Sequence, residues 1–122
     1  MLLLHCADLI FTTRIRAEAS AAGATVGVAR TLELLRSKLE SIGDASSGAA
    51  ALRLVIVDLD APDAIEAVRT AAAHASRPRV VAFVSHVRGD LAAAAREAGA
   101  GEVLARSAFV GRLPALVSGA GT

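Results

Sequence analysis

The stretch "LRLVIVDLDAPD", Leu52–Asp63, decides how the rest of the chain is read. A largely apolar run climbs to Asp58, and Pro62 follows four positions later. A short run of this kind, bounded by turn-forming residues, reads as a strand buried on both faces. An acid at the end of a buried strand is costly unless something pairs with it or uses it. Asp58 is therefore the first candidate site residue.

Four more runs of the same character flank this one: "MLLLHC" (1–6), "ATVGVA" (24–29), "RVVAFV" (79–84) and "EVLA" (102–105). Successive runs start about 23 to 28 residues apart, the size of a βα unit. The segments between them read as helices. The first spans Leu9–Ala22, with Asp8 as N-cap and Gly23 as its stop. The second spans Leu32–Ile42, where Leu32, Leu35, Leu39 and Ile42 share one face, Thr31 caps and Gly43 stops. The third is expected over Asp63–Ala75 behind Pro62, with Ile65 and Val68 inward, and the fourth over Arg88–Ala98, ended by Gly99. The last covers Ala108–Val117, where Pro114 predicts an irregular or kinked end. The small, polar "GDASSGAAA" (43–51) reads as a surface loop.

Strictly alternating strands and helices predict an α/β fold with a parallel sheet covered on both faces. Five units suit an open doubly wound sheet, flavodoxin-like with strand order 2-1-3-4-5, better than a barrel of about eight. All of 1–122 reads as one domain.

Composition narrows the function classes. At 54% hydrophobic and 20% charged, the chain has material for a core and little tendency to disorder. Aromatics are 2%, without Trp or Tyr, so the stacking platforms of single-strand nucleic-acid binders are missing. Thirteen basic and twelve acidic residues leave a net charge of +1 with no basic block, so no nucleic-acid partner is expected. The lone Cys6 excludes an internal disulfide and a Cys-rich metal site, and reads as a small buried apolar residue. The opening "MLLLHCADLIF" lacks a basic n-region and is broken by His5 and Asp8, unlike a secretory signal. No stretch approaches the about 18 apolar residues of a membrane span. A cytoplasmic protein without membrane contact is expected.

In a doubly wound sheet ligands bind beyond the carboxyl ends of the strands, at the switch point between strands 1 and 3. The polar residues there are His5, Cys6 and Asp8; Asp58 and Asp60; Ser85 and His86; Arg106 and Ser107. Neighbours on a strand point to opposite sides, so Ser85 and His86 do not both face one centre. They are also no nucleophile–base pair, and no G-x-S-x-G elbow exists, so no catalytic residue and no enzymatic activity are expected. His86 reads as a loop residue capping the fourth helix, His74 as a surface-helix residue, and Phe83 and Phe109 as core. No glycine-rich turn follows strand 1 to cradle a pyrophosphate.

The ordered set "VIVDLDAP", "VVAFVSH" and "AREAGAGEVLARSAF" resembles the receiver domains of response regulators over nearly the whole chain. In that family the aspartate ending strand 3, with proline four positions on, accepts a phosphoryl group; Asp58 and Pro62 match. Ser85 matches the hydroxyl residue that binds a phosphoryl oxygen, and Ala98-Gly99-Ala100 matches the "AGA" before strand 5. The departures are as informative. The acidic pair that holds Mg²⁺ falls on His5-Cys6 or on Cys6-Ala7, and neither alignment supplies two carboxylates; Mg²⁺ prefers oxygen ligands. The lysine after strand 5 is Arg106 and its following proline is Ser107; the aromatic switch position is Val103.

The resemblance thus implies a divergent pseudo-receiver without an output domain. It would act by protein–protein interaction, with phosphorylation weak or absent and no cofactor; Mg²⁺ enters only if Asp58 is phosphorylated. The fourth helix, fifth strand and fifth helix, about 87–118, would dock a protein partner or a second copy. Arg106 is expected to hold Asp58 in a standing ion pair. Asp8, Asp60, Ser85, His86, Arg106 and Ser107 would line the pocket around Asp58, and no metal residue is assigned. Two alternatives remain: a receiver phosphorylated on Asp58 within a two-component phosphorelay, and a binder of small anions or phosphometabolites through Arg106, Ser85 and His86.

Overall fold

A computed structural model describes residues 1–43, 51–86 and 89–121. Its elements alternate: β1 (Leu2–His5), α1 (Leu9–Ala21), β2 (Val26–Ala29), α2 (Leu32–Ile42), β3 (Leu54–Asp58), α3 (Ala64–Ala72), β4 (Arg79–Val84), α4 (Gly89–Ala98), β5 (Glu102–Ala105) and α5 (Arg106–Gly121). The strands form one parallel sheet in the order β2-β1-β3-β4-β5, as the alternation predicts.

The period-2 rule of strands divides the core in two. Leu3, Val55, Val57, Ala82 and Val84 point to the face covered by α2, α3 and α4. Leu2, Leu4, Leu54, Ile56, Val81 and Phe83 point to the face covered by α1 and α5. Both faces are apolar, which is why β1, β3 and β4 read as continuous rather than alternating hydrophobic runs.

The expected caps are in place. Asp8 accepts hydrogen bonds from the amides of Ile10 and Phe11, and Thr31 accepts one from Leu34. Gly23 (φ +75°) follows α1 and Gly43 (φ +65°) ends α2, both in the left-handed region. Gly99 is doubly constrained: its φ is +122°, and a Cβ there would lie 2.4 Å from Cβ of Ala72, where α3 meets α4.

β1, β2, α1 and the starts of β3 and α3 lie within one or two residues of the sequence reading, and three further boundaries bear on the site or the packing. α3 ends at Ala72, so His74 lies beyond it rather than on a surface helix. Its Nδ1 meets Ser76 and its Nε2 meets the Leu39 carbonyl, tying the end of α2 to the turn after α3. α5 starts two residues earlier than expected, directly after β5, and continues past Pro114 without ending there. The proline costs the hydrogen bond to the Val110 carbonyl, one turn back. β3 extends one residue further, to include Asp58 itself. Of the loop expected over 43–51, residues 44–50 lie outside the described residues, as does the expected helix start at Arg88.

Candidate functional site

Asp58 is the last residue of the central strand and is 3% exposed. The alternation that sends Leu54 and Ile56 toward α1 sends Asp58 the same way. The same rule places Leu2 and Leu4 of β1, and Cys6 directly after it, on that face. Parallel pairing of β1 with β3 then brings Cys6 beside Asp58, with Sγ 3.5 Å from Oδ2. The other carboxylate oxygen, Oδ1, accepts the Asp60 amide at 2.9 Å. Burial raises the Asp58 pKa above 3.8; the Asp60 amide and the Cys6 thiol oppose that rise, the Asp60 charge adds to it, and Arg106 opposes it most weakly.

The expected ion pair between Arg106 and Asp58 is not formed. Arg106 opens α5 and turns its guanidinium toward Asp8 Oδ2 at 3.7 Å and Asp60 Oδ2 at 4.0 Å. Two aromatic rings hold it there. The guanidinium carbon lies 4.7 Å from the centroid of the Phe11 ring and 5.7 Å from that of Phe83, as cation–π contacts require. Phe83 pairs in register with Asp58 on β4, so the ring stands beside the carboxylate at the same level of the sheet. Phe11, Phe83 and Phe109 form one aromatic cluster with centroids 4.7 to 5.8 Å apart. Nε of Arg106 is buried without a partner among the described residues.

The remaining candidates spread around the mouth. Asp60 is exposed and accepts the Ser85 amide at 2.9 Å, so the loops after β3 and β4 are joined through a side chain. Ser85, His86 and Ser107 are exposed. Asp8 combines its capping role with the Arg106 contact. Val103 is partly buried against the α2–α3–α4 core.

His5, the last residue of β1 and the other half of the His5-Cys6 pair, faces away. It belongs to the α2–α3 side, is fully buried, and neither ring nitrogen has a hydrogen-bond partner of good geometry among the described residues. Burial lowers its pKa below 6.5; the approach of the Pro62 carbonyl opposes that, and the Asp58 and Asp63 charges oppose it more weakly. Asp63, at the start of α3, sits in the left-handed region at φ 59° and makes no side-chain cap.

Cys6, which both alignments left open by the sequence include, is thus the residue at the carboxylate's side. A buried thiol whose pKa is raised, first by burial, is a poor partner for a hard cation. Among the described residues no group of three or more His, Cys, Asp or Glu side chains is placed to hold a metal. These residues do not fit Mg²⁺.

The sequence did not single out Phe11, the platform beneath Arg106. Its signal was present: three residues after the cap Asp8, it falls in the first turn of α1 and must turn inward. The Cys6–Asp58 contact was legible too, from strand parity on adjacent strands.

No family model matches the sequence, and no curated protein matches it. Solved structures do resemble the fold. A response regulator protein from Burkholderia pseudomallei, solved with a phosphorylated aspartic acid, calcium ion and citrate, superposes with a TM-score of 0.75 at 17% identity. The match covers 95% of this chain and 65% of that one, so this chain spans about two thirds of that protein's length. A response regulator from Thermotoga maritima gives 0.72 at 16% identity, covering 96% of each chain. An orphan response regulator of H. pylori gives 0.69 at 21% identity, covering 95% of this chain and 94% of that one. The chain has the receiver fold of response regulators, in its CheY-like, flavodoxin-type topology.

Proposed function

We propose that the chain is a receiver-type signalling module that works by docking to another protein, without phosphorylation of Asp58 and without enzymatic activity of its own. The observation that carries this reading is the contact of Asp58 with the Cys6 thiol where the receiver pattern has a carboxylate. Phosphoryl transfer depends on neutralising charge on the transferred group. Here the only cation within 4 Å of the site's carboxylates is Arg106, already shared between Asp8 and Asp60 among the described residues.

The docking face favoured by this reading is formed by α4, β5 and α5, about 87–118. β5 pairs with β4 alone and leaves its other edge open among the described residues. Ala93, Arg96 and Glu97 of α4 are exposed, and small residues there permit close approach of a partner helix. The anion-binding alternative is disfavoured by charge, because Arg106 is already met by Asp8 and Asp60.

Incubation with Mg²⁺ and acetyl phosphate, read by intact mass, tests the proposal. No phosphoryl adduct is expected. An acid-stable, hydroxylamine-sensitive adduct that disappears in Asp58→Asn would overturn it in favour of a phosphorylated receiver.

A further inference from the structure

The C-terminal ends of α2 and α3 converge without filling the space between them. A pocket of about 540 Å³ opens there. One wall is the last two turns of α2 and its cap, where Arg36, Leu39, Glu40 and Gly43 are spaced i, i+3, i+4, i+7. The other wall is the end of α3 and the turn after it, with Thr70, Ala73, His74 and Ala75. The space exists because Gly43, Ala73 and Ala75 bring at most a methyl group to its walls.

The walls are fixed against each other before anything binds. His74 Nε2 lies 3.0 Å from the Leu39 carbonyl oxygen. A carbonyl only accepts, so Nε2 carries the proton. Nδ1 then accepts from the Ser76 hydroxyl at 2.7 Å and from the Ser76 amide at 3.2 Å. Both ring nitrogens are thus engaged in holding the two helix ends in place. Two charges at the mouth are not engaged. Arg36 and Glu40 lie one turn apart on α2, both exposed, and neither is in an ion pair among the described residues. Arginine ahead of glutamate at i, i+4 is the less favourable order for such a pair. The last turn of α2 carries no basic residue to balance the negative end of its dipole. Glu40 and the last carbonyls of α2 therefore make that end of the pocket a place for a cation.

We propose that this pocket binds a zwitterionic dipeptide with apolar side chains. Its ammonium group would meet Glu40 and the carboxyl end of α2, and its carboxylate would meet Arg36. Its side chains would lie against Leu39, Ala73 and Ala75, with the Thr70 hydroxyl beside the peptide group. Length selects the dipeptide. Side chains one helical turn apart start about 5 to 6 Å from each other. The ends of an extended dipeptide are about 7 Å apart. A free amino acid holds its two charges too close together to reach both groups, and a longer peptide carries its ends past them. A preformed, mostly apolar pocket of several hundred Å³ with a few polar groups is the usual form of a small-molecule site. In a parallel sheet the connecting helices run back against the strands, so the ends of α2 and α3 lie at the edge opposite Asp58. The pocket is therefore separate from Asp58 and from the α4–β5–α5 surface. Its occupant would act as a bound effector, with no bond made or broken.

The test titrates the ¹⁵N-labelled chain with leucyl-leucine. Four controls accompany it: the N-acetylated dipeptide, the dipeptide amide, free leucine, and a tetrapeptide blocked at both ends with two leucines at its centre. Saturable amide shifts at Arg36, Glu40, Gly43, Thr70 and Ala75 are expected with leucyl-leucine. Removing either charge from the ligand should weaken binding about fivefold, the scale of one solvent-facing charge contact. Arg36→Gln should cost as much, and in that variant the dipeptide amide should bind as well as the free dipeptide. Glu40→Gln should do the same for the N-acetylated form. Absence of shifts, shifts confined to another face, or unchanged affinity in both variants would overturn the proposal. Equal binding of the blocked and free dipeptides would overturn it in favour of an uncharged apolar ligand. Tighter binding of free leucine would overturn it in favour of a single amino acid, and tighter binding of the blocked tetrapeptide in favour of a segment within a partner's chain.

Discussion

The Cys6 thiol donates to Asp58 Oδ2 across 3.5 Å, on the buried side of a sheet where the strand ends of β1 and β3 meet. A thiol is a weak donor and leaves the carboxylate poorly compensated. If Cys6 were an aspartate, two carboxylates would share this buried spot. Cys6→Asp is expected to destabilise the protein by about 2 kcal/mol or more in EDTA. Mg²⁺ should restore part of the loss, because the substitution supplies the missing oxygen ligand. Urea denaturation with and without Mg²⁺ measures both effects; the unsubstituted chain should show no Mg²⁺ dependence.

Asp58 is a buried acid whose pKa is raised above 3.8, first by burial. As pH rises the unfolded chain loses this proton before the folded one does. Its contribution to stability is therefore fully present below 3.8 and is lost as pH rises through the folded value. Asp58→Asn removes the ionisation and keeps an acceptor for the Asp60 amide. It should stabilise the protein by about 1 kcal/mol at neutral pH, with the gain shrinking toward zero as pH approaches 3.8. Denaturation midpoints of both proteins across this range give the comparison; a destabilised Asp58→Asn at neutral pH would refute it.

His5 titrates with the opposite consequence. Its pKa is lowered from 6.5, chiefly by burial, so the unfolded chain takes up the proton first as pH falls. The stability that depends on neutral His5 is complete above 6.5 and is lost as pH drops below it toward the folded value. The slope is limited to about 1.4 kcal/mol per pH unit for one proton. His5→Leu should flatten the stability profile in this window while leaving the one set by Asp58 in place.

Arg106 lies over Phe11 and Phe83 instead of pairing with Asp58. Arg106→Ala should cost about 1 kcal/mol, and Arg106→Lys should recover only part of it, since an ammonium lacks the planar stacking surface. Because Arg106 is the weakest of the influences on Asp58, the Asp58 carboxyl titration followed by ¹³C NMR should move little in Arg106→Ala. A large upward shift would restore the direct ion pair.

Gly99 joins a left-handed backbone to a close approach between helices. Gly99→Ala combines φ +122° with a 2.4 Å contact to the Ala72 Cβ. It is expected to destabilise by about 2 kcal/mol or more. Ala72→Gly in the same chain would relieve the contact but not the dihedral, so rescue should be partial.

The fold was open to reading because its signals are local and repeated: five apolar runs at regular spacing, Asp8 and Thr31 as caps, and glycines where helices end. Asp58 itself stood out as a charge at the end of a buried run. What sits around it depends on long-range register. The Cys6 contact follows from parity on two strands 52 residues apart in sequence. The direction taken by Arg106 depends on rings from α1 and β4 that no short motif connects. The boundary at Ala72 and the passage of α5 through Pro114 are set by tertiary packing, which outweighs local propensity.

The most direct measurement of whether Asp58 still works as a phosphoacceptor is amide chemical-shift mapping with Mg²⁺ and beryllofluoride, a mimic of the phosphoryl group. We expect no site-specific response in the unsubstituted chain. Saturable shifts centred on Asp58, Ser85 and Arg106 would contradict a phosphorylation-independent module and mark a working phosphoryl site.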